Sequence, residues 1–219
     1  MAIKPILFNT EMVKAIISGR KTQTRRIIKG LEGLNVYHAE PAEDTYETLG
    51  EWDFFYGWVE NECMFDAINS IKAPCSVGDM LWVRETWSTH YDGIHDDLQF
   101  CYKADGIDLK SECLPGENNR WYPSIHMPKE AARIFLKVND VHVGRLQFMN
   151  EENAIAEGFA DSPAGEESPM ERFVTLWDKT IRREDLWKFG YDANPWVWEI
   201  EFERCEKPEW WCRQAVLCP

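Results

Sequence analysis

Gly19-Arg20-Lys21-Thr22-Gln23-Thr24-Arg25-Arg26 packs four cations and two hydroxyls into eight residues, and its flanks decide how it can fold. Before it, Lys4-Pro5-Ile6-Leu7-Phe8 reads as a strand. Asn9 or Thr10 can then cap a helix through Glu11, Met12, Val13, Ala15, Ile16 and Ile17. Gly19 suits the helix C-terminus, where a left-handed residue is commonly needed. Arg20 to Ile28 has the β-branched content of a strand or a tight connection. A lysine near a threonine can take the hydroxyl proton if its own pKa is depressed, and arginines can hold a phosphate or carboxylate bidentately. In a regular strand Lys21 and Thr24 face opposite ways, so that pairing needs a bend or a helical turn. A solvated basic connection stays open beside the functional reading.

Further along, Val77-Gly78-Asp79 is turn chemistry leading into a strand over Met80-Leu81-Trp82-Val83-Arg84-Glu85-Thr86-Trp87. A second strand is expected over Leu98 to Tyr102, then a polar loop through Pro115-Gly116-Glu117-Asn118-Asn119, then an alternating strand from Ile134 to Val143. Asn150 caps a short helix over Glu151 to Glu157, stopped by Gly158. Ser168-Pro169-Met170-Glu171 is a capping box with proline at the first helical position, opening a helix that carries Phe173, Val174, Leu176 and Trp177. Trp196 to Phe202 alternates as a terminal strand. Short strands interleaved with short helices, without regular βαβ periodicity, predict a mixed α+β barrel-like domain. Residues 31–73 read as an acidic, aromatic insertion with weak periodicity, 88–120 as a loop-rich insertion and 205–219 as a tail.

The chain has 219 residues, enough for one large domain or two small ones. Apolar residues at 44% and charged residues at 28% exclude disorder, and no apolar run suffices for a spanning helix. The N-terminus lacks the apolar run of a signal peptide, and seven cysteines sit at irregular spacings; a cytoplasmic protein with reduced thiols and no membrane contact is expected. No C-x-x-C pair and no recognised histidine spacing is present, so neither a metal nor a cofactor is expected. Walker, dinucleotide-binding, nucleophile-elbow and zincin motifs are missing as well.

Charge is unevenly spread. The formal net charge is -14, yet residues 1–30 carry seven bases and one acid, Glu11, while 31–70 carry ten acids and no lysine or arginine. Overall acidity opposes long duplex nucleic acid, whereas the local basic patch can grip one phosphate or a short strand. Eleven tryptophans are a second outlier. Trp82, Trp177, Trp196 and Trp198 fall in apolar periodic segments and read as core. Trp87 and Trp121 read as cleft or surface residues able to stack on a nucleobase.

Gly-Arg-Lys-Thr-x-Thr-x-Arg after a short N-terminal helix resembles the opening motif of the ASCH domains, which have a PUA-like β-barrel fold. Gly78-Asp79-Met80-Leu81-Trp82-Val83 looks like that family's G-D-x-[LV]-x-V strand. Leu81-Trp82-Val83-Arg84-Glu85-Thr86-Trp87, Pro123-Ser124-Ile125-His126-Met127-Pro128, Ala154-x-x-Glu157-Gly158 and Asn194-Pro195-Trp196-Val197-Trp198 are similar to the long members familiar from phages and prophages. The resemblance covers residues 3–30 and 74–203. It implies recognition of a nucleobase-containing ligand: a modified nucleoside, a nucleotide or a short single-stranded RNA. One compact branch of the superfamily hydrolyses N4-acylated cytidine with a lysine base, a threonine nucleophile and a glutamate acid, which match Lys21, Thr24 and Glu157 here. Arg20, Thr22, Arg25, Arg26, Arg84, Glu85, Trp87, Trp121 and His126 are the ligand-binding candidates. Alternatives are a non-catalytic RNA or nucleotide-binding module, a ribonuclease, or an interaction protein that meets a protein partner through residues 31–70.

Overall fold

The computed structural model divides into two compact units. The first comprises Met1–Lys21, Asp79–Lys137 and Glu203–Pro219, the second Thr22–Gly78 and Val138–Phe202. The structure describes residues 2–32, 34–42, 50–60, 63–92, 97–109, 120–159, 167–209 and 211. The expected polar loop at 115–119 and most of the tail, 212–219, lie outside the described residues.

In the first unit, β1 (Ile3–Leu7) pairs in parallel with β6 (Met80–Arg84), Ile3 opposite Met80 and Leu7 opposite Arg84. The start of β9 (Phe135–Arg145) runs antiparallel to β6, with Leu81 opposite Leu136. Helix α1 (Thr10–Ile17) follows β1, and the Asn9 side chain accepts from the Met12 N–H at 2.9 Å, as the sequence expects. Gly19 ends the turn after it at φ +75°, a conformation that costs glycine nothing. The core is Val83, Leu136, Phe135 and Met127, with Trp82 and Trp211 packed at a tilt beside Ala132.

The strand expected over residues 80–87 is two strands. β6 stops at Arg84, and β7 (Trp87–Asp92) pairs instead with β8 (Asp97–Tyr102), Trp87 opposite Tyr102. The cause is Glu85, 1% exposed. Its backbone N–H donates to Met127 Sδ at 3.1 Å, and its carboxylate takes a two-pronged contact from Arg133, Nε at 2.9 Å and Nη2 at 3.0 Å. Arg133 also reaches Asp105 at 2.8 Å and lies 3.8 Å over the Tyr102 ring. Burial pushes the Tyr102 hydroxyl up to about 12, and that hydroxyl donates to the Ala131 carbonyl at 2.6 Å.

In the second unit, β2 (Gln23–Ile27) lies antiparallel to β10 (Trp196–Cys205), with Arg25 opposite Glu199 and Thr24 opposite Ile200. In the strand order β10 stands between β2 and β9. Helices α2 (Glu151–Ala156), α3 (Pro169–Thr180) and α4 (Leu186–Phe189) follow β9. Both predicted caps form: Asn150 and Ser168 each accept from the residue three positions on, which returns the bond. Leu146, Met149, Ala154, Phe173, Trp177 and Val197 make one core cluster.

The acidic aromatic segment is more regular than its composition suggests. It holds a three-stranded antiparallel sheet of β3 (Val36–Pro41), β4 (Glu51–Glu60) and β5 (Cys63–Lys72). Phe54, fully buried, sits edge-on to Trp196 at 6.0 Å and to Trp198 at 6.2 Å, and Trp52 meets Trp198 at 6.2 Å. Such edge-to-face pairs contribute about 0.5–1.5 kcal/mol beyond their area. The fold is α+β, mostly sheet with short helices. No sheet closes into a barrel among the described residues, the strand orders running open at both ends. Among the described residues no helix is long and apolar enough to cross a membrane.

Candidate functional site

Burying a polar side chain costs free energy unless something in the fold answers it. Lys21, Thr24, Arg25 and Glu157 are between 3% and 5% exposed. Three of these four belong to the basic segment, and the fourth is the acid matched to it by resemblance.

Thr24, Arg25 and Glu157 belong to the second unit, along with Thr22, Arg26 and Glu199. Thr22 ties three elements together: its N–H donates to the Ala156 carbonyl at 2.8 Å, and its own carbonyl accepts from the Phe202 N–H at 2.9 Å. The start of β2 is thereby pinned between β10 and the end of α2. Glu157 caps α2, and Gly158 turns the chain away at φ +104°. A carboxylate at a helix C-terminus gains nothing from the helix dipole; its partner is on β2. Arg25 Nη1 lies 3.5 Å from Glu157 Oε1, and Arg25 Nη2 lies 3.1 Å from Glu199 Oε2. One guanidinium therefore forks across two carboxylates. Its side chain is 2% exposed, against 6% for Glu157 and 27% for Glu199. Arg25 Nε is buried with no hydrogen-bond partner among the described residues.

Strand alternation sorts the remainder. Gln23, Arg25 and Ile27 share a face of β2, the face on which Gln23 donates to Glu201 at 2.7 Å and Ile27 packs on the core cluster containing Val197. Thr24 and Arg26 share the other face. Burial lowers the Arg26 pKa, and nearby Glu157 pulls it partly back. Gly144 on β9 completes the arrangement: a Cβ there would come within 2.6 Å of Glu199 Oε1. Gly144→Ala should therefore displace the Glu199 carboxylate, which is partly exposed and can swing aside, and cost about 0.5–1.5 kcal/mol, the usual net worth of one hydrogen bond. Urea unfolding checks this, and the same substitution should cost little once Arg25 is already methionine.

The other candidates belong to the first unit. Lys21 is buried, its backbone N–H donating to the Ala15 carbonyl at 3.1 Å and its ammonium lying 5.4 Å from the Phe8 ring centroid. Arg20 is exposed and reaches Ser18 Oγ at 3.0 Å. Arg84 donates to the Ile125 carbonyl and, at 3.1 Å, to the Met127 carbonyl, clamping the turn that carries exposed His126. Trp87 stacks on Tyr122 with ring centroids 5.0 Å apart, next to half-buried Trp121. Of the tryptophans read as core, Trp82, Trp177 and Trp198 are buried and Trp196 is half-buried.

Glu199 and Gly144 were not anticipated from the sequence. The alternation Trp198-Glu199-Ile200-Glu201-Phe202 puts two acids on one strand face, a signal that a cation faces them. The chain matches no protein-family model, no curated protein and no solved structure.

Proposed function

We propose that this chain is an ASCH-like, PUA-like protein that recognises a nucleobase-containing ligand through its Lys21–Arg26 segment. The observation that carries this reading is the buried fork of Arg25 across Glu157 and Glu199, with Nε left over as a donor. A cytosine-type edge offers, in a row, an exocyclic amino group, a ring nitrogen and a ring carbonyl. Carboxylates accept from that amino group, and Glu199 is the more exposed of the two. The Arg25 Nε–H would answer the carbonyl. The order strand, helix, basic strand at the N-terminus, with the short Glu157 helix before the last strand, supports the family assignment.

Burial of Thr24 and Glu157, both in the second unit, favours a second, hydrolytic reading in which the resemblance supplies Lys21 as the base. Thr24 Oγ attacks the amide carbonyl of an N4-acylated cytidine, and Lys21 takes the hydroxyl proton. Glu157, protonated for this step, gives its proton to the departing amine. Water then cleaves the acyl-threonine ester, its OH joining the acyl group and its H returning to Thr24 Oγ, while the proton held by Lys21 restores Glu157.

One experiment separates the readings: incubate the full chain with N4-acetylcytidine and follow binding by calorimetry and acetate release by NMR. Turnover in wild type and Thr24→Ser, abolished in Thr24→Val with binding kept, establishes hydrolysis. Saturable binding without acetate release leaves recognition alone. If cytidine, its acylated form and short single-stranded RNA all fail to bind, the proposal is wrong.

A further inference from the structure

We infer that a cleft in the second unit, separate from the Arg25 fork, binds a planar ring carrying one negative group, either a carboxylate or a phosphate. The cleft holds about 220 Å³ and is lined by Arg145, Trp196, Trp187, Lys188, Phe189 and Glu32, among others. Its volume suits one ring system with its substituent and is below the range typical of drug-sized ligands.

Charge supplies the first argument. Among the described residues Arg145 donates only to main-chain carbonyls, those of Asn194 at 3.0 Å and Val36 at 3.2 Å. Among the described residues no carboxylate pairs with it, and burial alone lowers its pKa. A guanidinium stays charged regardless, so the cleft carries a cation that the fold answers with dipoles and no counter-charge. Lys188 adds a second cation at the lining. Glu32, the acid there, is turned to its own loop, accepting from the Gly30 N–H at 2.9 Å.

Shape supplies the second argument. Arg145 lies 4.5 Å over the Trp196 ring, and Lys188 lies 4.9 Å over the Trp187 ring. Each cation thus sits beside an aromatic surface at the lining, which places positive charge next to apolar ring area and suits a flat anion. Trp187 is 74% exposed on a four-residue helix, a costly place for an indole with nothing to cover. Trp196 Nε1 is buried without a hydrogen-bond partner among the described residues. Asn194, the carbonyl that orients Arg145, holds the left-handed φ of +48°, which asparagine tolerates better than most residues.

The test is calorimetric titration of the full chain with benzoate, cytidine 5′-monophosphate, their uncharged counterparts benzamide and cytidine, and inorganic phosphate. At least one ring anion should bind, at least about tenfold more tightly than its uncharged counterpart and than phosphate. Which anion binds distinguishes an aromatic acid from a nucleotide. Trp187→Ala and Lys188→Gln, both at the lining, should each weaken that binding several-fold without moving the unfolding midpoint. Glu199→Gln should leave it unchanged, which separates this cleft from the site of the proposed function. Equal affinity for charged and uncharged rings, indifference to Trp187→Ala, or no ring anion binding below about 1 mM overturns the inference.

Discussion

Arg25→Met should lower the unfolding free energy by about 3–5 kcal/mol, the usual result of removing one member of a buried ion pair. The magnitude follows from what is left behind. Glu157, 6% exposed, would be left as a buried carboxyl group with its guanidinium gone, whereas Glu199, 27% exposed, can turn outward at lower cost. Arg25→Lys should fall between wild type and methionine, because one ammonium cannot fork across two carboxylates as a planar guanidinium does. Adding Glu157→Leu to Arg25→Met should recover part of the loss, since the stranded polar group is then removed. Urea unfolding of the four proteins measures this, and a loss below about 1 kcal/mol for methionine would mean the fork is no more than a surface pair.

Glu85→Ala should cost a similar amount in the first unit. Glu85 is 1% exposed and bound at both oxygens by Arg133, whose remaining partner, Asp105, is 37% exposed on its side chain. Burial would lower the Arg133 pKa, but its hydrogen bonds to Glu85 and Asp105 raise it well above the ordinary value. Replacing both partners, Glu85→Leu with Arg133→Met, should return most of the stability, because paired buried charges are often replaceable by apolar groups of similar size. Burial pushes the Glu85 carboxyl up, while the bond from Arg133 works against the shift. With the folded value above the unfolded one, the Glu85 contribution is full below the ordinary carboxylate range and declines as pH rises through the raised value. Glu85→Gln should flatten that part of the stability–pH curve. An unchanged slope would place the proton elsewhere.

Much of the local structure was legible because its causes are local. Asn9, Asn150 and Ser168 cap helices through contacts three residues away, so the spacing alone carries the information. The alternation of β10 was visible for the same reason. Residues 80–87 failed as one strand because nothing within that stretch tells that Arg133, 48 positions beyond Glu85, will pull the carboxylate out of the ladder. Residues 31–73 were read as irregular because their acids hid the alternation Glu51-Trp52-Asp53-Phe54. The apolar half of it makes sense only once Phe54 meets Trp196 and Trp198.

The site divides along the same line. The sequence by itself determined the helix ends, the strand periods, the concentration of cations at Arg20–Arg26 and the buried indoles of Trp82, Trp177 and Trp198, because each follows from propensity or spacing over a few residues. Only the tertiary structure decided which carboxylates answer Arg25. Glu157 and Glu199 are 132 and 174 positions away from it, and cross-strand register and a turn at Gly158 set that pairing. Register depends on which faces bury, and burial is a property of the packed units rather than of any one segment.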